Sequence, residues 1–153
     1  MRIFVNIEDG TVKESFMSQA TRLRIEKLGT VEYAVHKLYG SELAEKAKEF
    51  DVLFTGWGQP LIEAKDTGNL KIIAHTGGTV GGIIGPDVFD KGVKVISGNR
   101  YYAESVAEGV IAYMLFALRD MGRYSADLKQ GKWIWGAHTE GLLDQTVGIV
   151  SFG

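Results

Sequence analysis

The segment HTGGTVGGIIG, which starts at His75, has the composition best suited to binding a ligand. It follows an apolar run, LKIIAH, that is predicted to be a strand. Glycines at the carboxyl end of a parallel strand leave backbone N–H groups accessible, and such groups bind anions such as carboxylates. A turn that needs only the conformational freedom of glycine explains the same composition. The segment is not a Walker A loop and does not contain GxGxxG.

A second glycine-bearing loop, TGWGQP, follows another predicted strand and should open at the same edge of a parallel sheet. Trp57 of this loop either lines a substrate pocket or closes an edge of the core. The flanking Gly56 and Gly58 favour the pocket.

Metal and nucleophilic chemistry are not indicated by the sequence. The three histidines, His36, His75 and His138, lie in different segments without metal-ligand spacing. The chain has no cysteine and no GxSxG motif. His75 ends a predicted strand beside the glycine segment, where it could orient a ligand or be held by backbone hydrogen bonds.

Apolar runs rich in β-branched residues alternate with segments of helical period, which predicts an α/β fold with a parallel sheet covered by helices. The predicted strands are residues 2–7, 31–36, 51–56, 70–75, 93–97 and 146–150. Thr11 and Glu14 have capping-box spacing and predict a helix that ends at Gly29. Its predicted inward face is Val12, Phe16, Ala20, Leu23 and Leu28.

Two further helices are predicted. Ser41 is expected to cap one whose inward residues are Leu43, Ala47 and Phe50. The other is long, from about residue 103 to about residue 129, and is too apolar to lie on the surface of a small monomer. Its second packing partner should be a further domain or another copy of the chain. The turn SGNRYY before this helix is the best domain boundary.

The composition excludes several partners. A net charge of −2, from 17 basic and 19 acidic residues, gives no general attraction to nucleic acid or anionic membranes. The most apolar helical stretch, GVIAYMLFAL, is about half the ~20 residues that span a bilayer. With no cysteine and no apparent signal peptide, we expect a cytoplasmic protein whose partners are small molecules or proteins.

From residue 51 onward, the order of the segments resembles the NAD-dependent D-isomer-specific 2-hydroxyacid dehydrogenases. The matching segments are DVLFTGWGQP, LKIIAHTGGTVGG, FDKGVKVISGNRYYAESVAEGVIAYMLFALRD, LKQGKW and LLDQTVGIVSFG. The most specific pieces are AESVAE before the long apolar helix and QGKW ahead of TVGIV.

The resemblance implies a flavodoxin-like parallel sheet with flanking helices in residues 1–100, as the substrate-binding domain. Residues 101–153 would be the first helix and strand of a truncated NAD-binding Rossmann domain. The loop amides of the family bind the substrate carboxylate, and we expect this site to comprise Thr76, Gly77, Gly78, Thr79, Val80, Trp57 and Gly58. The helix from Ala103 to Met121 would form a homodimer interface.

By the same resemblance, TVGIVSFG begins the dinucleotide loop, with Ser151 in place of its first glycine and Gly153 as the second. Ser105 is the third expected cofactor-binding residue. The catalytic arginine, glutamate and histidine of the family match no position of this sequence. We therefore expect the front part of a dehydrogenase for a small 2-hydroxy or 2-oxo acid, inactive alone and binding NAD weakly or not at all. The alternative is a standalone flavodoxin-like module that binds an anion or dimerises without catalysis.

Overall fold

The computed structural model describes residues 1–134 and 139–150, apart from the side chain of Val12. The chain divides into two compact units, Met1–Tyr102 and Ala103–Gly153. The first unit contains the sheet, and the second is helical over most of its described residues.

Five parallel strands form one sheet in the first unit, in the order β2-β1-β3-β4-β5. The strands are β1 (Arg2–Asn6), β2 (Thr30–Tyr33), β3 (Val52–Thr55), β4 (Ile72–His75) and β5 (Lys94–Ser97). This is the flavodoxin-like strand order, whose direction of winding reverses between β1 and β3. The predicted α/β class and its parallel sheet are confirmed.

Helices connect the strands and continue into the second unit. They are α1 (Thr11–Phe16), α2 (Gln19–Glu26), α3 (Gly40–Ala47), α4 (Pro86–Asp90), α5 (Asn99–Leu118) and α6 (Met121–Lys129). A short 3₁₀ helix, Ala64–Asp66, lies between β3 and β4.

Apolar side chains cover both faces of the sheet, because successive residues of a strand point to opposite sides. On one face, Phe4, Leu53 and Ile73 pack with Leu43 of α3 and Val88 of α4. The opposite face has its own cluster, composed of Ile3, Val5, Ile7, Met17, Ile25 and Val52. The sheet is therefore a rigid support for the loops at its carboxyl edge.

The first predicted helix is wrong in its start, its length and its inward face. The structure has two helices, and Gly10, not Thr11, is the N-cap of α1, without a side-chain hydrogen bond. Ser18 begins α2 by accepting a hydrogen bond from the backbone N of Thr21. This second start rotates the inward face, so Ile25 is buried while Leu23 is exposed.

The predicted cap of α3 is also wrong, although its inward face is confirmed. Tyr39 is the N-cap, and Ser41 lies inside the helix. Leu43, Ala47 and Phe50 are buried as expected. The apolar spacing thus located this helix better than the capping residue did.

The second unit differs from expectation in two ways. The long helix is interrupted between α5 and α6, where Asp120 adopts a left-handed conformation with φ 50°. Residues 146–150, predicted to be a strand, form none. A strand requires a hydrogen-bonded neighbour, and the described part of this unit contains no other strand. No residue of α5 is buried.

Candidate functional site

Four adjacent strands each end in a polar residue, and the register aligns these residues. Asn6 is paired with Thr55, Thr55 with His75, and His75 with Ser97. Because residues in register in a parallel sheet point to the same face, they form one row across the carboxyl edge, which we call the polar row. The row includes the reversal between β1 and β3, the place where open α/β sheets bind ligands.

Asn6 is fully buried and connects two loops at this edge. Its Oδ1 accepts a hydrogen bond from the backbone N of Leu38 at 2.7 Å. Its Nδ2 donates to the carbonyl oxygen of Leu38 at 2.7 Å and to Oε1 of Gln59 at 3.0 Å. Leu38 follows β2 and Gln59 follows β3, so one side chain holds both loops in place.

Thr55 and His75 form a buried pair beside Asn6. Thr55 Oγ1 lies 2.9 Å from His75 Nδ1, and the two residues are 0% and 3% exposed. His75 Nε2 is buried without a hydrogen-bond partner among the described residues. Burial lowers the pKa of His75 below its usual value, because the charged imidazolium loses hydration. The imidazole is therefore neutral near pH 7.

The glycine loop after β4 is anchored through its carbonyl groups. Thr76 accepts a hydrogen bond from the Tyr102 hydroxyl at 2.8 Å, and Gly77 accepts one from the backbone N of Gly98 at 2.9 Å. The carbonyl oxygen of Val80 accepts from the backbone N of both Ile83 and Ile84 at 3.0 Å. These bonds fix the backbone at both ends of the loop.

The amide groups of the same loop are available to a ligand. Of residues 76–80, only Thr76 donates its N–H to another described residue, the carbonyl oxygen of Thr55 at 2.9 Å. The next four backbone N–H groups donate to no acceptor among the residues that the structure describes; they belong to Gly77, Gly78, Thr79 and Val80. A fixed run of unpartnered N–H groups suits the binding of a carboxylate.

Residue 77 has no room for a side chain, which explains why it is glycine. A Cβ at this position would lie 2.5 Å from Trp57 Nε1 and closer still to His75 Nε2. Gly78 has no such restriction, since its nearest neighbour would be Asn99 Oδ1 at 3.5 Å. The two ring nitrogens thus border the Cα of Gly77, in the middle of the site.

Trp57 covers this edge from the loop after β3. Its ring packs edge-on against Phe16 with centroids 5.5 Å apart, and it lies 6.3 Å from the ring of Tyr102. Its carbonyl oxygen accepts a hydrogen bond from Lys37 Nζ at 2.6 Å. Gly58 supplies the positive φ, 69°, that turns the chain after it. The indole is 55% exposed, so it borders the site without being part of the core.

The structure brings together the seven residues expected to bind substrate, since all lie in the loops after β3 and β4. Ser105, expected to contact the cofactor, is exposed on α5. Ser151 and Gly153 lie outside the described residues, as does His138. The part of the second unit that is described has no strand followed by a glycine loop.

The sequence interpretation missed Asn6, Thr55, Gln59 and Lys37. A pattern that could have revealed the first two is present in the sequence: the strands RIFVN, VLFT, IIAH and KVIS all finish in a polar residue. A polar residue that closes an apolar strand marks the edge where loops meet. Gln59 and Lys37 have no comparable pattern, because their positions depend on loop conformation.

Comparison with known proteins finds two related sequences among those with an assigned activity. No family model matches it. Hydroxypyruvate reductase of Thermotoga maritima is 34% identical in an alignment of length 147 that covers 93% of this chain and 47% of that protein. D-3-phosphoglycerate dehydrogenase of Methanocaldococcus jannaschii is 32% identical in an alignment of length 137 that covers 84% of this chain and 25% of that protein. The chain is therefore similar to proteins of the D-2-hydroxyacid dehydrogenase family. It spans about half the length of the first of these relatives and about a quarter of the second.

Solved structures of the dehydrogenase family share the fold. D-lactate dehydrogenase of Lactobacillus jensenii, solved with NAD+, matches 89% of this chain and 41% of its own with a TM-score of 0.61 and 16% identity. The two sequence relatives confirm the resemblance that the sequence predicted, and NAD is a cofactor found within this family. Among the described residues, no cluster of side chains could hold a metal ion, and no helix is long and apolar enough to cross a membrane.

Proposed function

We propose that this chain supplies the substrate-binding part of an oxidoreductase that transfers hydride between NAD(H) and a small D-2-hydroxy acid or its 2-oxo acid. The observation that carries the proposal is the run of four unpartnered amides from Gly77 to Val80 at the carboxyl edge of the sheet. The names of the two sequence relatives support the reaction class, since both are oxidoreductases of hydroxy acids.

In this proposal the loop amides hold the substrate carboxylate. The loop's own carbonyl groups accept hydrogen bonds from Tyr102, Gly98 and Ile83, so the backbone donors are oriented before the ligand arrives. Preorganised donors lower the cost of ordering on binding. Trp57 covers the same edge and excludes water from the bound acid.

The bound NAD would accept or supply the hydride. By family resemblance, the catalytic arginine, glutamate and histidine match no position of this chain. We therefore propose that these 153 residues bind substrate but do not catalyse hydride transfer, and that they bind NAD weakly or not at all.

The segment from Ala103 to Met121, which comprises most of α5 and the first residue of α6, is proposed to form a homodimer interface. Its apolar side chains Val106, Ile111 and Phe116 are all at least half exposed, which is unusual for a surface without a partner. Sedimentation of the chain at micromolar concentration should give a dimer. A monomer over the whole concentration range would contradict this part of the proposal.

Amide NMR of the ¹⁵N-labelled chain tests the carboxylate site. D-Lactate should shift the signals of Gly77, Gly78, Thr79 and Val80, whereas lactamide, which lacks the carboxylate, should not. Inorganic phosphate is the third ligand: an equal response to phosphate would favour a general anion-binding module. Absence of any loop response to D-lactate, or a measurable dehydrogenase rate from the chain alone, would contradict the proposal.

A further inference from the structure

The buried imidazole of His75 lies directly behind the glycine loop. The side chain is 3% exposed, and its Nε2 has no hydrogen-bond partner among the described residues. A Cβ added to Gly77 would overlap this nitrogen, so the ring packs against the backbone at the point where the four unpartnered amides begin. A charge on the imidazole would therefore act on any anion that these amides bind.

The Thr55 hydroxyl can partner the ring in both of its protonation states. Thr55 Oγ1 lies 2.9 Å from His75 Nδ1, and a hydroxyl group both donates and accepts hydrogen bonds. Thr55 donates to Nδ1 when the neutral ring has its proton on Nε2, and it accepts from Nδ1 when the ring is protonated. The ring can thus take up a proton while both side chains stay in place. The reversed bond frees the hydroxyl hydrogen, so protonation needs compensation from a nearby negative charge.

The described residues around His75 do not supply that negative charge. The residues in register with it on β3 and β5 are the uncharged Thr55 and Ser97. The glycine loop has no ionisable side chain. The ionisable groups on the loop after β2 and at the start of α5 are cations or hydrogen-bond donors; they are Lys37, Arg100 and Tyr102. Burial alone lowers the pKa of His75, so no described carboxylate acts as its counter-ion.

We propose that His75 takes up a proton from the solvent when a carboxylate binds to the glycine loop, and that the site therefore binds acids more tightly as the pH falls. The inference rests on the proposed function, in which the loop amides hold the carboxylate. The bound carboxylate supplies the negative charge that the imidazolium otherwise lacks. Such coupling is reciprocal: the carboxylate favours protonation by the same factor by which protonation favours the carboxylate.

The size of the coupling depends on the position of the ring behind the loop. An opposite charge within about 4–6 Å changes the proton affinity of a group by about tenfold or more. Because the Gly77 backbone lies against Nε2, the ligand does not contact the ring directly, and a smaller effect is expected. The affinity for D-lactate should rise by about threefold to tenfold between about pH 7.5 and about pH 5.5. The acid itself stays ionised over this range, since a carboxyl group loses its proton near about pH 4.

Calorimetry of the unmodified chain measures the proton uptake. D-Lactate is titrated at about pH 6.5, near the ordinary pKa of histidine, in two buffers that differ in their enthalpy of ionisation. The difference between the two heats should correspond to the uptake of a substantial fraction of one proton per bound D-lactate. In NMR spectra of the ¹⁵N-labelled chain, the side-chain nitrogens of His75 should titrate at a higher pH with saturating D-lactate than without it.

The variant His75→Gln removes the titrating group and should abolish both the proton uptake and the rise in affinity at low pH. His36→Gln replaces an exposed histidine after β2 and is the matched control, so it should keep both effects. If His75→Gln does not fold, the proton uptake and the His75 titration of the unmodified chain decide the question.

Binding of D-lactate to the loop amides without proton uptake would overturn the coupling and leave the carboxylate site intact. The same rise in affinity at low pH in a folded His75→Gln variant would also overturn it. If D-lactate does not shift the loop amides at any pH, the proposed function itself fails and this inference falls with it.

Discussion

Replacing Gly77 with alanine tests the packing at the centre of the candidate site. The added Cβ would be in conflict with two ring nitrogens, at 2.5 Å from Trp57 Nε1 and nearer to His75 Nε2. The same substitution at Gly78 meets nothing closer than 3.5 Å. The neighbouring glycine is therefore a control for any general effect of alanine in this loop.

The expected loss of stability in Gly77→Ala depends on whether Trp57 or His75 can move away from the added Cβ. Trp57 is half exposed and can rotate outward, but His75 is buried and tied to Thr55 by a 2.9 Å hydrogen bond. Overpacking of a well-filled site typically costs about 1–3 kcal/mol. Because one of the two neighbours can yield, we expect Gly77→Ala to lower the free energy of unfolding by about 1–2 kcal/mol. Gly78→Ala should change it by less than about 0.5 kcal/mol.

Urea unfolding of the two variants and the unmodified chain measures both values. The same samples should show weaker binding of D-lactate in Gly77→Ala, because a displaced Trp57 disturbs the edge of the site. Equal stability of the two variants would refute the close packing of Gly77 against the two rings. A destabilised Gly77→Ala with an unchanged Trp57 indole signal would show that the indole is not the neighbour that moves.

Three other outcomes are expected. Asn6→Ala should lower the free energy of unfolding by about 2–4 kcal/mol in urea, because it leaves both polar groups of Leu38 without their partner; a loss below about 1 kcal/mol would contradict its role. Burial lowers the pKa of His75 below 6.5, so protonation of this side chain favours the unfolded chain. The free energy of unfolding should therefore fall as the pH is lowered below about 6.5. His75→Gln should reduce this dependence of the free energy of unfolding on pH. An unchanged slope in the variant would assign the acid sensitivity to other groups. Gly29→Ala should lower the free energy of unfolding by about 1–3 kcal/mol, measured by thermal or urea unfolding, because its Cβ would overlap the carbonyl oxygen of Met1. An unchanged free energy of unfolding would show that the backbone before β1 can move aside.

Much of the fold could be predicted because strands and helices follow the local apolar period. The alternation of short β-branched runs with helical segments gave all five strands of the sheet to within a few residues. The glycine loop was recognised because glycine clusters are conspicuous in the sequence. In each case the information lies within a few neighbouring residues.

The features that could not be predicted depend on contacts between distant parts of the chain. Ser18 starts a new helix through a bond to Thr21, and this choice over a continuous helix is decided by the burial of Met17 and Ile25 against the sheet. Residues 146–150 have strand composition, yet no strand forms without a neighbour to pair with. The hydrogen bonds of Asn6 join it to Leu38, 32 residues away, and to Gln59, 53 residues away.

The polar row has a consequence for how this edge can be altered. Two residues before Asn6, Thr55 and His75, on the same face, lie Phe4, Leu53 and Ile73 of the core. Polar and apolar residues therefore follow each other on one face of the same strands, and both sets are buried, since Asn6, Thr55 and His75 are at most 3% exposed. A substitution in the polar row that changes what this edge binds therefore also changes the stability of the chain, because Asn6 holds the loops after β2 and β3 in place.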